Sequence, residues 1–135
     1  MSLLKIGVAA TMASLAVLAA SGGARAQPDQ ATVITVRLSE YRFTPAEIDL
    51  NHGQRYVLRV VNTGGKAHDL SAKAFFQTVT LSPESAARVH DGQIEAAMGE
   101  SADVTLVADR PGTYEMHCTH PLHGLLGMRG RIVVR

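Results

Sequence analysis

The sequence has only one cysteine, no large excess of charge of either sign, and no tandem repeat or low-complexity tract. A lone cysteine cannot form an internal disulfide, so in an exported protein it is an intermolecular link, a free thiol or a metal ligand. The formal net charge of +1 gives no sign of the basic surface that nucleic-acid binding needs. The lack of repeats and linkers favours a single domain.

A hydrophobic run long enough to span a membrane is also missing. Lys5 is followed by an apolar run at residues 6–20 and by the small-residue triplet Ala24-Arg25-Ala26, an order typical of a secretory signal peptide. Because a spanning helix needs about 20 apolar residues, cleavage is favoured over an uncleaved membrane anchor. We therefore predict a cleaved signal peptide at residues 1–26, a mature domain at residues 27–135, a periplasmic location and no membrane contact after cleavage.

Removal of the signal leaves 109 residues, which fits one small domain with one core. Lys5 and Arg25 leave with it, so 11 basic residues remain against 12 acidic ones, a net charge of −1. We therefore expect any partner to bind through a local surface patch rather than to be attracted by a strong overall electrostatic field.

Short runs of alternating apolar and polar residues, separated by turns, dominate the mature part and indicate strands. Between residues 73 and 89 the pattern is ambiguous, with Phe75 and Phe76 expected in the core and Ser82 expected to cap a short helix that starts at Pro83. The spacing of the strands predicts an all-β fold, an antiparallel β-sandwich of Greek-key type. The predicted strands are residues 32–38, 41–50 with a bend at Pro45, 55–61, 67–72, 93–97, 103–108, 113–117 and 130–135.

The candidate chemistry is concentrated in residues 114–128, which contain the cysteine, three of the six histidines and two of the five methionines. Cys118, His123 and Met128 have the spacing C-x4-H-x4-M, so a thiolate, an imidazole and a thioether can converge from one loop. This donor set suits a soft or borderline metal, copper above all. His120 offers a competing imidazole, and we favour His123 because it fits the four-residue spacing.

Alternation along the strand before the cysteine assigns the neighbouring side chains to two faces. Met116 shares a face with Cys118 and is expected to fill the core, whereas His117 is expected to face outward. Residues 118–128 then form a loop at one end of the sandwich, where a rigid scaffold commonly carries function.

A fourth ligand has to come from another part of the chain. His68 is best placed, because it follows the strand 55–61 and a turn that returns to the same end of the domain. His52 lies at the opposite end of that strand, and His90 sits in a polar segment that we expect to be solvated. The candidates are His52, His68, His90, His117 and His120.

Three motifs together resemble those of the cupredoxins, the small blue copper proteins, over essentially the whole mature chain. They are Asn62-x5-His68, Tyr114-x3-Cys118-x4-His123-x4-Met128 and the closing Gly130-x-Ile-Val-Val strand. The resemblance implies one type 1 copper ion with His68, Cys118 and His123 as strong trigonal ligands and Met128 as a weak axial ligand. Plastocyanin-like members have two residues between the cysteine and the histidine, so this chain resembles the long-loop variety.

Asp69 departs from the family pattern, in which asparagine often follows the first histidine ligand. A carboxylate can accept hydrogen bonds from the backbone after Cys118 but cannot donate any, so the contact between the two ligand loops is expected to differ. Its negative charge should also favour Cu(II).

The resemblance implies an exported, monomeric one-electron carrier rather than an enzyme. Redox partner proteins are expected to dock on apolar residues around His123, because a contiguous exposed apolar patch usually marks an interaction site. Two alternatives stay open: a copper carrier that uses the surplus His120 and Met116, and a metal-free interaction module. The residues of the expected patch are Pro121, Leu122, Gly124, Leu125 and Leu126.

Overall fold

The computed structural model describes residues 30–135, so the predicted signal peptide and its cleavage point lie outside the described residues. Within this part the chain forms strands with two one-turn helices. In chain order the elements are β1 (Thr32–Ser39), β2 (Arg42–Thr44), β3 (Glu47–Leu50), β4 (Arg55–Asn62), β5 (His68–Ser71), α1 (Lys73–Phe76), β6 (Val79–Leu81), α2 (Pro83–Ala86), β7 (Gln93–Ala96), β8 (Ser101–Ala108), β9 (Gly112–His117) and β10 (Arg129–Val134).

The strands form two five-stranded sheets, with the orders β2-β1-β4-β8-β6 and β3-β10-β9-β5-β7. Most neighbouring strands are antiparallel, whereas β1 runs parallel to β4 and β3 runs parallel to β10. From β2 to β9 the chain changes sheet at each successive strand, so strands adjacent in a sheet are distant in sequence. This arrangement confirms the predicted all-β sandwich.

The core lies between the inner faces of the two sheets. Along β4 and β8 every second side chain is buried, as expected for strands with one face toward the core and one toward solvent. All four residues of β5 are buried, which places His68 and Asp69 inside the protein. The most deeply buried apolar side chains are Val36, Leu38, Val60, Leu70, Phe75, Ile94, Val104 and Met128.

The ambiguous stretch after β5 contains α1, β6 and α2. Phe75 and Phe76 are both buried, as predicted. The Ser82 side chain accepts a hydrogen bond from the backbone N–H of Ser85, which confirms the predicted cap of α2. The strand β6 was not predicted; it is only three residues long, and it pairs with β8 at the edge of its sheet.

One end of the sandwich collects the segments that matter for function. Ser71 of β5 pairs with His117 of β9 in antiparallel register, so the residues before Ser71 lie opposite those that follow His117. The start of β5 is thereby brought to the loop between β9 and β10. His52 lies at the opposite end, as predicted, where its backbone N–H bonds to the carbonyl of Arg135.

No helix within residues 30–135 has the length and apolar character required to cross a bilayer.

Candidate metal centre

Three buried side chains converge at this end of the sandwich. One potential ligand atom from each of His68, Cys118 and His123 lies within 4.8 Å of the other two. The side chains are almost inaccessible, with 0%, 2% and 8% of their surface exposed. Sγ of Cys118 is 3.4 Å from Nδ1 of His123. The structure thus brings together two imidazoles and a thiol from segments far apart in the sequence.

The bonding of His68 indicates that this cluster suits a metal. Both of its ring nitrogens are buried without a well-formed hydrogen bond. Oε1 of Glu40 lies 3.5 Å from Nε2, at the outer limit of such a bond. Because a buried polar group left without a partner costs about 1–3 kcal/mol, an ion coordinated by His68 would remove a real penalty. Imidazole and thiolate ligands are those that copper prefers in proteins.

Met128 closes the ligand loop. Its side chain is fully buried, and its backbone bonds to both loop ligands. The N–H of Met128 donates to the carbonyl of His123 at 3.0 Å, and the N–H of Cys118 donates to the carbonyl of Met128 at 3.2 Å. The three residues of the C-x4-H-x4-M motif are therefore held together by the backbone.

Consecutive turns give the rest of the loop its shape. The N–H of His123 bonds to the carbonyl of His120, and that of Leu126 bonds to the carbonyl of Leu122. Nε of Arg129 donates to the carbonyl of Gly124 at 3.1 Å. These internal bonds hold the backbone on both sides of His123.

The Asn62 side chain organises the loop that leads to His68. Its amide donates to the carbonyls of Lys66 and Ala96, at 2.7 and 2.9 Å, and its Oδ1 accepts from the N–H of Gly64. The side chain is 1% exposed, so these bonds replace water that cannot reach it. This role explains why an asparagine stands six positions before the histidine.

Asp69 connects the two ligand segments. Its fully buried carboxylate accepts hydrogen bonds from the backbone N–H of Thr119, at 3.0 and 3.1 Å, and from the Thr119 hydroxyl at 2.7 Å. This confirms that a carboxylate here accepts from the backbone after Cys118. The same carboxylate lies 3.7 Å from Sγ of Cys118.

His120 does not belong to the group of converging ligand atoms. Its ring stacks on that of His123, with centroids 5.4 Å apart. Its Nε2 lies 3.7 Å from Asp69 and 3.6 Å from Glu95, and its side chain is 28% exposed. Of the two competing imidazoles, the structure therefore places that of His123 beside Cys118.

The surroundings hold the thiol and the imidazole of the ligand loop in their neutral forms. Burial raises the pKa of Cys118, and the negative charge of Asp69 raises it further, against the lowering effect of hydrogen bonds from backbone N–H groups. Burial lowers the pKa of His123, and repulsion from His68, His120 and Lys66 lowers it further. Since cysteine binds a metal as the thiolate, metal binding at neutral pH would displace the Cys118 proton.

Two residues of the turn between β1 and β2 adjoin the cluster, and neither was predicted from the sequence to lie there. The Tyr41 ring meets that of His123 edge-on at 5.0 Å between centroids, and Glu40 approaches His68. No spacing relates them to the ligand motifs. Only the sheet pairing could have indicated their position. Because β1 runs parallel to β4, Leu38 lies beside Asn62, so the turn after β1 lies beside the loop that leads to His68.

A group of exposed leucines borders His123 in the ligand loop, and we call it the leucine patch. Leu122, Leu125 and Leu126 are 68%, 83% and 56% exposed. Their exposure confirms that the apolar part of the loop faces solvent, whereas His123 itself is largely covered.

The remaining predicted positions are as expected. Met116 is 1% exposed and lies in the core, while His117 faces outward on β9. His90 is exposed, between α2 and β7.

A family model described as a cupredoxin-like domain matches residues 9–134, and the chain therefore belongs to the cupredoxin-like family. Among its relatives, the copper-resistant cuproprotein CopI of Rubrivivax gelatinosus is 30% identical over 112 residues, which cover 78% of this chain and 67% of that protein.

Solved structures share the fold. Reduced auracyanin from Roseiflexus castenholzii superposes with a TM-score of 0.58 at 22% identity, covering 78% of this chain and 98% of its own. Auracyanin B superposes with a TM-score of 0.59 at 23% identity, covering 82% of this chain and 92% of its own. The McoA multicopper oxidase of Aquifex aeolicus gives 0.61 at 17% identity, with 81% of this chain but only 30% of that chain covered.

Proposed function

We propose that this chain is an exported mononuclear type 1 copper protein that carries single electrons between redox partners. The proposed strong ligands are His68, Cys118 and His123, and Met128 is the proposed weak axial ligand. The observation that carries the proposal is the convergence of a buried thiol and two buried imidazoles within 4.8 Å of one another. Copper bound there would supply a one-electron couple between Cu(II) and Cu(I).

The protein residues contribute a site whose geometry changes little between the two oxidation states. Cys118 and His123 are tied to the backbone of Met128, and Asp69 fastens the residue after Cys118 to β5. A rigid ligand set of this kind keeps reorganisation small, which fast electron transfer requires. Burial of the same residues keeps water from the ligands.

The leucine patch is the proposed docking surface for redox partner proteins. It borders His123, whose 8% exposed surface offers a short path from solvent to the ligands. Exposed apolar patches commonly mark interaction sites, and electron-transfer encounters are weak and small in area. We expect a monomeric protein that meets each partner only briefly.

The periplasmic location is proposed from residues 1–26 and accords with membership of a family of copper proteins. Expression of the whole chain in a bacterial host, followed by mass measurement of the periplasmic form, tests it. The expected mature chain begins at Gln27.

Optical and EPR spectra of the mature domain with Cu(II) test the main proposal. The expected result is an intense visible thiolate-to-copper band that Cys118→Ser abolishes. The matched pair His123→Gln and His120→Gln tests the choice of imidazole, with loss or a large change of the band expected only for the first. A colourless Cu(II)-loaded protein, in which Cys118 is freely alkylated, would support a metal-free interaction module instead.

A copper carrier is the second candidate. Two observations favour it: the relative that is 30% identical is named a copper-resistant cuproprotein, and the partly exposed His120 ring stacks on His123 as an additional imidazole at the edge of the site. A carrier would bind Cu(I) preferentially and pass it to an acceptor protein without reversible redox cycling. Voltammetry of the loaded protein together with a Cu(I) transfer assay separates the two candidates.

A further inference from the structure

Glu40 lies beside the metal centre although it belongs to neither ligand segment. It occupies the turn after β1, and its Oε1 accepts a hydrogen bond from the backbone N–H of Gly65 at 2.6 Å. The same oxygen is 3.5 Å from Nε2 of His68. One carboxylate oxygen thus contacts both the loop that carries a proposed ligand and the ligand itself.

The loop before His68 leaves room for this carboxylate. Gly64 stands where a side chain would collide with it, since a Cβ there would lie 2.7 Å from Oε1 and 2.9 Å from Oε2 of Glu40. Gly64 in turn is held by its N–H bond to Asn62. The backbone of this loop is therefore shaped to bring a carboxylate within reach of the imidazole.

We infer that Glu40 is a positioning residue of the metal centre, which accepts the Nε2–H of His68 and so directs the lone pair of Nδ1 toward Cys118 and His123. The inference rests on the proposed copper site. A histidine ligand commonly donates its second ring N–H to a carboxylate or a carbonyl, and this bond fixes the tautomer and the ring orientation. Here neither nitrogen of the fully buried His68 has a well-formed hydrogen bond, and Oε1 of Glu40 lies 3.5 Å from Nε2.

The charge of Glu40 has a second effect. The carboxylates of Glu40 and Asp69 both lie beside the proposed ligands. Among those ligands only the Cys118 thiolate is itself negatively charged. Negative charge near the site stabilises Cu(II) more than Cu(I), because Cu(II) carries one more positive charge. Glu40 should therefore lower the reduction potential as well as orient His68.

Two substitutions at Glu40 separate these effects. Glu40→Gln keeps an acceptor oxygen but removes the charge, whereas Glu40→Ala removes both. Gly64→Ala keeps the charge and displaces the carboxylate, and the far end of the Glu40 side chain can yield without a change in the fold. Glu84→Gln, an exposed glutamate in the first turn of α2, is the control for the loss of one negative charge.

The measurements are the Cu(II) and Cu(I) affinities and the reduction potential of each loaded variant. We expect Glu40→Ala to weaken Cu(II) binding by about 10-fold to 100-fold, the usual range for loss of a carboxylate that supports a histidine ligand. Cu(I) binding should weaken less, so the potential should rise. In Glu40→Gln and Gly64→Ala the affinities and the reduction potential should change in the same direction but by less. Both quantities should be unchanged in Glu84→Gln.

In the metal-free protein, ¹⁵N chemical shifts of His68 give an independent readout. We expect the Nε2–H tautomer in the parent protein and a mixture of tautomers in Glu40→Ala.

Unchanged copper affinities, reduction potential and His68 tautomer in Glu40→Ala would overturn the inference. A change in thermal stability alone would also overturn it, because it would show that Glu40 only stabilises the turn. Failure of the parent protein to develop the thiolate-to-copper band would instead refute the proposed function. The two failures are thus distinguishable.

Discussion

Oδ2 of Asp69 lies 3.7 Å from Sγ of Cys118, so a fully buried carboxylate faces the sulfur that we propose as a copper ligand. In the metal-free protein the neutral thiol can donate to this carboxylate. Once the thiol becomes a thiolate, two negative charges face each other, and the hydrogen bonds from Thr119 have to stabilise the carboxylate alone. The arrangement couples the metal centre to a charge that is not itself a ligand.

Replacement of this charge should change the potential of the centre. In Asp69→Asn the amide oxygen can still accept from the N–H of Thr119, while the amide N–H group can donate to the sulfur. We expect a higher reduction potential, because the removed charge favours Cu(II), and a lower pKa for the Cys118 thiol. Spectroelectrochemical titration measures the first quantity, and the pH dependence of alkylation of the metal-free protein measures the second.

Asp103→Asn serves as the control, because that carboxylate forms an exposed ion pair with Arg59 on the face of its sheet. It should leave the potential within error of the parent protein. A fall in the potential of Asp69→Asn would contradict the electrostatic account.

The metal-free protein should lose stability in mild acid because of His123. Burial holds its pKa below the ordinary histidine value of 6.5, so the folded state binds the proton less readily than the unfolded state does. The contribution of His123 to the free energy of unfolding is therefore fully present above pH 6.5. It is lost as the pH falls through the lower pKa that His123 has in the folded protein. Urea unfolding midpoints measured between neutral pH and pH 5 should fall.

His123→Gln isolates this effect from the titration of carboxylates. The variant should show a shallower decline over the same range, because its side chain does not titrate. Parallel curves for the parent and the variant would show that His123 does not control the acid sensitivity.

Gly130→Ala should destabilise the fold. A Cβ at this position of β10 would overlap the backbone carbonyl oxygen of Ala46 and Cε of Met116. The carbonyl cannot move aside cheaply, because it accepts a hydrogen bond from the N–H of Arg131, the next residue of β10. We expect a loss of about 1–3 kcal/mol in the free energy of unfolding, the usual effect of overpacking a core.

Gly124→Ala is the matched control within the ligand loop. A Cβ there would meet its nearest neighbour at 3.6 Å, an ordinary contact. Its free energy of unfolding should change little, and chemical denaturation of both variants makes the comparison. Equal stabilities would contradict the close approach of β10 to Ala46.

Leu125→Glu should slow electron transfer without altering the fold. Leu125 is 83% exposed in the leucine patch, so an acidic side chain there is solvated. Two copies of the protein that meet through this patch would then repel each other. The electron self-exchange rate of the copper-loaded protein, measured by NMR line broadening, should fall several-fold at low ionic strength and recover with salt.

Val33→Glu introduces the same charge at a 51% exposed apolar residue of β1, toward the opposite end of the sandwich. Its self-exchange rate should remain near that of the parent protein. An equal fall in both variants would mean that the patch is not the surface through which electrons pass.

Most of the strands were predictable because alternation is a local property of the chain. The segments β1, β4 and β8 each carry enough alternating residues to reveal one buried face. The three-residue strand β6 and the one-turn helix α1 escaped prediction. Elements this short carry too little pattern, and their conformation depends on packing against β8 and β9.

The sequence by itself determined which side chains form the candidate site. Cys118, His123 and Met128 lie in one short loop, so their spacing alone restricts which atoms can converge, and the family motif adds His68. The separation of His52 from this end also followed from the sequence, because the length of one strand keeps its two ends apart.

Only the tertiary structure decided how these residues are arranged and what supports them. The turns of the ligand loop place His123 beside Cys118 and turn His120 toward Asp69, a choice that depends on backbone geometry rather than spacing. Glu40 reaches His68 because β1 runs parallel to β4, and strand register of this kind is a property of the packed sheets that no local stretch of sequence encodes.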